Sequence, residues 1–354
     1  MCLSPRVEFM RGFRDRDLLR TTEGFFFCVV GPFHPPNRVI SYLKYVPTRL
    51  GKWGRGKRRF RRAMRSYTIP DLLETFKHLE RDYPHYLFYS PFYNILMTAV
   101  PLKHMARHYR PEEKLARLLE AQRLDLLQKK LKRFVSYLAE KSNVPLESFG
   151  VTGSILLNIH NLEFSDLDVT VYGFKNCVAV KDALKAAYYL RTSGFKRFED
   201  NALRTWCLNK ARLYPLTFDE AREIYNRKWN IGFFEGTQFS VHSVKVEEEV
   251  EEEYGERIYN PVGSVVLGAV VRENSDSIYL PAVYRVKEVK ILKGPQVKDV
   301  EEVVSYEGLY GDLAEVGETI LAKGKLEQVR DKKTGRTYHR VLVGSPEGKG
   351  TEYI

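Results

Sequence analysis

A short central stretch constrains this chain more than any other. Gly153-Ser154 is followed, after eleven residues, by Asp166-Leu167-Asp168-Val169-Thr170-Val171-Tyr172, and Gly173 ends the run. Leu167, Val169 and Val171 face one way and Asp166, Asp168 and Thr170 the other, which predicts a half-buried strand. A strand with one apolar face needs a layer packed against it. Residues 178–190 provide one, with Val180, Leu184, Ala187 and Tyr188 at helical spacing. The two carboxylates then project side by side from a sheet. Paired hard oxygen ligands suit Mg2+ or Mn2+, so Asp166 and Asp168 are candidate metal ligands. Gly153 lets backbone approach a phosphate closely, Ser154 adds a hydroxyl, and Ser165 is placed to orient the carboxylates or cap the turn before the strand.

Around this segment the pattern divides the chain. Residues 1–105 read as a basic, mixed α/β domain, with a buried strand at 25–30, a second extended segment at 39–46, and a helix opened by Pro70. Residues 106–143 read as a helical connector, one helix or two. Residues 144–246 surround the carboxylates and add a helix at 219–229 and a strand at 239–246. Residues 258–354 are β-rich, with five strand candidates separated by Gly, Asn and Asp turns, a pattern that admits a small OB-like barrel. The fold class expected is α+β, with no internal repeat.

Charge is segregated along the chain. The net charge is +12. Eight basic residues and no acidic ones occupy positions 52–65: Lys52, Arg55, Lys57, Arg58, Arg59, Arg61, Arg62 and Arg65. Such a run gains affinity for a polyanion through counterion release, so nucleic acid, RNA above all, is the expected partner. Trp53 and Tyr67 flank it as candidate base-stacking groups. Seven glutamates between 247 and 256 read as a solvated linker or an edge. Four cysteines without metal-ligand spacing fit a reducing compartment, and no apolar run is long enough to span a bilayer, so a cytoplasmic protein without membrane contact is expected. His104 and His108 sit four apart with no carboxylate or cysteine companion in the sequence around them.

The apolar lead-in, the Gly-Ser pair and the Asp-x-Asp strand together resemble the nucleotidyltransferase superfamily of DNA polymerase beta, the tRNA CCA-adding enzymes and the poly(A) polymerases. Over its N-terminal half, through His34-Pro35-Pro36-Asn37-Arg38-Val39 and Tyr42-Leu43-Lys44-Tyr45-Val46-Pro47, the chain also resembles an archaeal group within it. The resemblance implies a polymerase-beta-like core and transfer of a nucleoside monophosphate from an NTP to a hydroxyl acceptor, with Mg2+ or Mn2+ and release of pyrophosphate. It also implies a third carboxylate on a later neighbouring strand. Residues 239–245 match that strand, yet no acid occurs before Glu247, and His242 occupies or borders the position as a candidate base or ligand. Arg227, Lys228 and Lys245 are candidate triphosphate contacts, since a polyphosphate needs several donors. The missing acid leaves a second reading open: a catalytically inactive relative that binds RNA or nucleotide.

Overall fold

The computed structural model describes residues 11–354; Cys2 and the first residues of the basic domain lie outside them. The N-terminal sheet contains β1 (Leu18–Thr21), β2 (Phe26–Val29), β3 (Arg38–Pro47), β4 (Trp53–Arg55), β5 (Arg58–Arg62), β6 (Leu87–Ser90), β7 (Ile95–Pro101) and β8 (Met105–Tyr109), with α1 (Ile69–Asp82) crossing after β5. Its main path runs β4-β5-β3-β2-β1-β8, and β7 branches from β3 to pair with β6. The β4–β5 hairpin is the outer edge of the sheet. It displays Lys52, Arg55, Lys57, Arg58, Arg59, Arg61 and Arg65 to solvent. None of these seven has an ion-pair partner among the described residues. An edge strand of cations is one way to keep an exposed sheet edge from pairing with another chain.

Two helices follow, α2 (Pro111–Glu120) and α3 (Leu126–Ser142). The break between them comes from Asp125, whose carboxylate accepts from the Gln128 N–H at 3.0 Å while the Gln128 side chain accepts from the Asp125 N–H at 3.1 Å. This reciprocal pair starts a new helix. Leu127, Leu131, Phe134, Val135 and Leu138 of α3 are buried against the central sheet.

The central sheet is built from β9 (Phe149–Val151), β10 (Leu167–Tyr172), β11 (Phe195–Lys196), β12 (Ile231–Phe234) and β13 (Thr237–Val244), in the order β11-β12-β13-β10-β9. A single helical turn, α4 (Gly153–Leu156), leaves β9, and α5 (Phe174–Ala187) follows β10. Two further helices, α6 (Asp200–Leu213) and α7 (Phe218–Arg227), pack on each other beside the sheet. Strand β10 carries Leu167, Val169 and Val171 inward, fully buried against α3 and α5. It runs parallel to β13, which sets Asp168 opposite Ser240 and Thr170 opposite His242.

The C-terminal strands β14 (Arg257–Glu273), β15 (Ala282–Lys293), β16 (Val300–Ser305), β17 (Thr319–Asp331) and β18 (Thr337–Val343) close in the order β14-β15-β16-β18-β17. The β16–β18 pair is parallel and the others antiparallel. The glutamate-rich segment is not a free linker, contrary to expectation. Glu247 pairs with Arg14, Glu249 accepts from the Phe174 N–H at 2.6 Å and the Tyr279 hydroxyl at 3.1 Å, and Glu252 pairs with Arg257 at 3.2 Å. It joins all three lobes. The molecule is thus a mixed α+β protein, and no helix among the described residues is long and apolar enough to cross a membrane.

Candidate functional site

A cavity of about 580 Å³ opens where the three lobes meet. The central sheet contributes Thr152, Asp166, Asp168, Ser240 and His242 to its wall, and the N-terminal sheet contributes Arg16, Tyr42, Lys44 and Arg62. Tyr306, Glu307 and Arg340 come from the C-terminal lobe.

Asp168 is held from three directions. Its backbone carbonyl accepts from the Thr152 N–H at 2.9 Å. Its Oδ1 accepts from the Ser240 hydroxyl at 2.6 Å. Its Oδ2 lies so close to Gly153 that a Cβ there would stand 2.2 Å away, and Gly153 has φ +66°. Glycine is therefore demanded twice, by backbone conformation and by space. Ser240 has one hydroxyl proton, and Asp168 takes it. The 2.9 Å contact between Ser240 Oγ and His242 Nε2 must then be donated by the imidazole. Burial, then Arg16, pushes the His242 pKa down to about 3, so the ring is neutral with its proton on Nε2. His242 lines the cavity but acts through Ser240, as a positioning residue behind Asp168. The expectation of a base or metal ligand at His242 narrows to one ring nitrogen, since Nε2 is a donor to Ser240 while Nδ1 keeps its lone pair.

Asp166 and Asp168 differ sharply. Burial opposes the Asp168 charge, but Lys44, the Ser240 hydrogen bond and Arg62 outweigh it and hold the carboxyl below its ordinary range. Asp166 has no hydrogen-bond or ion-pair partner among the described residues. Burial and the adjacent Asp168 charge push its pKa up to about 7. Opposite stands Lys44, itself without a hydrogen-bonded or ion-paired partner for its ammonium among the described residues, 5.6 Å from the Tyr67 ring centroid. Arg62 lies over Trp53 at 4.9 Å, and its Nε is buried without a partner. Unpaired charges of both signs thus face one space.

The other expected phosphate-binding residues are placed differently. The Ser154 hydroxyl donates to Ser165 Oγ at 3.2 Å, and Ser165 Oγ accepts from the Asn161 N–H at 2.9 Å. Both serines are buried and stabilise the loop before β10 rather than lining the cavity. Gly153 likewise serves Asp168 rather than a phosphate. Arg227 pairs with Glu318 at 2.6 Å and donates to the Leu313 carbonyl at 2.9 Å. Lys245 pairs with Asp276 at 2.6 Å. Neither Arg227 nor Lys245 lines the cavity, because both clamp the central lobe to the C-terminal one. Lys228 does line it, but it is buried and donates to the Gly311 carbonyl at 2.5 Å, and burial pushes its pKa down to about 7.

Sequence reasoning missed Arg16, Lys44 and Ser240, and read Arg62 only as one member of a basic run. Lys44 left one signal: a lysine within the apolar run Leu43-Lys44-Tyr45-Val46, in a strand where both neighbours are buried. The basic hairpin adjoins this site. The Gly54 N–H donates to the Ile159 carbonyl at 2.7 Å, and Trp53 meets Phe164 edge-on at 5.5 Å. The hairpin therefore rests on the loop that leads into Asp166.

Fold and site together define a three-lobed α+β protein with a central, doubly charged cavity. Over 343 residues, 96% of this chain and 98% of the other, it is 31% identical to the uncharacterized protein MJ1086 of Methanocaldococcus jannaschii, and it belongs to that protein's family. No protein-family model and no solved structure matches the chain.

Proposed function

We propose that the cavity binds a nucleoside triphosphate as its Mg2+ or Mn2+ complex and transfers the nucleoside monophosphate to a hydroxyl of RNA. The observation that carries this reading is the pair of unmet charges: Asp166 beside Asp168 on one wall, Lys44 and Arg62 on the other. A metal–polyphosphate complex presents both complements at once. Mg2+ keeps much of its water and is bound by one or two carboxylates plus substrate phosphates, so Asp166 and Asp168 fit one such ion. The ion supplies neutralisation of charge on the reacting phosphate. Lys44 and Arg62 meet phosphate oxygens, Ser240 and His242 keep Asp168 oriented, and Trp53 and Tyr67 flank the approach. The cavity volume lies in the range of small-molecule sites. In the transfer, the acceptor oxygen bonds to the α-phosphorus, its hydroxyl proton passes to solvent, the α–β anhydride bond breaks, and pyrophosphate leaves. The parallel β10–β13 pair, the Gly153 turn and the Asp-x-Asp strand support a polymerase-beta-like nucleotidyltransferase core, and the five-strand closure supports an OB-like barrel. The basic hairpin supports RNA as the acceptor.

A second reading rests on the strand beside β10, where the resemblance implies an acid and Ser240 and His242 stand opposite Asp168 and Thr170. On that reading the site binds nucleotide or RNA without transfer. The deciding experiment incubates the protein with each labelled NTP, Mg2+ or Mn2+, and cellular RNA. Incorporated label that disappears in Asp166→Asn supports transfer. Saturable NTP binding that Lys44→Met weakens, with no incorporation under any condition, selects the binding-only reading. Absence of both rejects the site.

A further inference from the structure

Away from the central cavity, three side chains from separate parts of the N-terminal lobe converge. Glu23 lies in the β1–β2 turn, His85 in the short turn after α1, and His104 between β7 and β8. One candidate ligand atom from each lies within 4.8 Å of the others. Glu23 Oε2 accepts the hydroxyl proton of the fully buried Tyr86, so its other oxygen is left to the histidines. That Oε1 stands 3.6 Å from His85 Nε2 and 3.7 Å from His104 Nδ1. Both separations are too long for a hydrogen bond. They approach the spacing of about 3.3 Å between donor atoms that each lie about 2.0–2.1 Å from one tetrahedral ion. His85 Nε2 is sealed from solvent and has no hydrogen-bond partner. The two imidazoles stack, with centroids 4.2 Å apart and planes inclined by 21°.

We propose that Glu23, His85 and His104 form a site for a divalent transition-metal ion, zinc-like in its preference for two imidazoles and a carboxylate. The ligand set is mixed nitrogen and oxygen with no thiolate, which suits Zn2+ and its neighbours and distinguishes it from the all-oxygen pair at Asp166 and Asp168. The Tyr86 hydroxyl fixes the carboxylate from behind, and the Thr22 N–H, donating to the His104 carbonyl at 3.0 Å, ties the Glu23 turn to the His104 turn. About a quarter to a third of each side chain is exposed, so a further coordination position faces water. An ion here joins the end of α1 to two turns of the sheet.

The test uses the full chain, stripped with a chelator and titrated with Zn2+ by calorimetry in excess Mg2+, which occupies the carboxylate pair. One saturable equivalent is expected. His85→Gln and His104→Gln are expected to lower Zn2+ affinity at least about 100-fold, more than the loss of an outer partner does, while Asp166→Asn leaves it unchanged. No saturable binding, or binding that both glutamine variants retain, overturns the site. Should either variant fail to fold, Co2+ added to the unaltered chain decides. Intense visible bands of a four- or five-coordinate ion without thiolate charge transfer support the site, and a weak octahedral spectrum or a thiolate band overturns it.

Discussion

Gly153→Ala isolates the contact on which the whole carboxylate site depends. A residue with a Cβ at φ +66° pays about 1–2 kcal/mol for the left-handed conformation. The new methyl would also stand 2.2 Å from Asp168 Oδ2. Regaining ordinary van der Waals contact requires the carboxylate to retreat by roughly 1 Å. That retreat breaks the 2.6 Å bond from Ser240, a charged hydrogen bond contributing about 1.5–3 kcal/mol. The expected destabilisation is about 2.5–5 kcal/mol, read as a lower urea midpoint at constant slope, together with loss of NTP and Mg2+ binding. Gly236→Ala, in the β12–β13 turn, is the control. Gly236 has φ +75° with nothing within 4 Å of a built Cβ, so it carries the conformational cost alone, about 1–2 kcal/mol. If the two variants unfold at the same midpoint, or if Gly153→Ala binds nucleotide normally, Asp168 is not seated against Gly153 as described and the argument for the site collapses.

Two further outcomes follow from the same geometry. Replacing Arg58, Arg59 and Arg61 by Ala removes three exposed cations from the hairpin. If these contact phosphates of single-stranded RNA, the slope of log affinity against log salt should flatten by about 2 in fluorescence anisotropy, while NTP binding stays unchanged; an unaltered slope removes the hairpin from the interface. Burial, opposed mainly by the Tyr214 hydrogen bond, pushes the Glu307 carboxyl up to about 7. Between the ordinary glutamate range and about 7 the folded chain keeps a proton that the unfolded chain has released, so this group's contribution to stability falls as pH rises. Glu307→Gln should flatten that fall in urea midpoints measured at about pH 5 and about pH 8, and an unchanged pH profile refutes the assignment.

What was legible in the sequence was local. The alternation in β10, the apolar faces of α1 and α3, and the Gly-Ser to Asp-x-Asp spacing each depend on neighbours within one or two elements, and periodicity reports them. Helix α6 was not legible. Only Cys207 on it is fully buried, Leu208 is largely exposed, and the helix leans on α7 rather than inserting a stripe into the core. The Lys44 charge acts on Asp168 from more than a hundred residues away in the chain, and no pattern in either segment records that they share one cavity. Arg227 and Lys245 stand outside the cavity for the converse reason. Their partners, Glu318 and Asp276, come from a later lobe, so a cation near the site in sequence is neutralised by an acid that only the fold brings close. Glu23, His85 and His104 are scattered in the same way, and the companions of His104 and His108 lie far off in sequence: His108 turns to Asp17 at 2.7 Å while His104 turns to Glu23.

The serine at position 240 changes the charge balance of the cavity as well as the ligand count. An acid there would face Asp168 directly across the β10–β13 register, and the site would be dominated by negative charge that only metal could relieve. With Ser240, one hydroxyl proton stabilises Asp168, and Asp166 beside it is left without a partner among the described residues. Lys44, Arg62 and Arg16 line the same cavity, although Arg16 is already paired with Asp15 at 3.1 Å. Between the N-terminal and central sheets, Lys44 and Arg62 therefore face Asp166, all three without an ion-pair partner among the described residues. On the proposed function, that arrangement favours a polyanion over a bare divalent ion, with phosphate binding leading and the metal entering with the nucleotide it neutralises. The N-terminal sheet is then part of the site rather than an accessory to it, because β3 and β5 supply the charges that make the central sheet's carboxylates receptive to a phosphate chain.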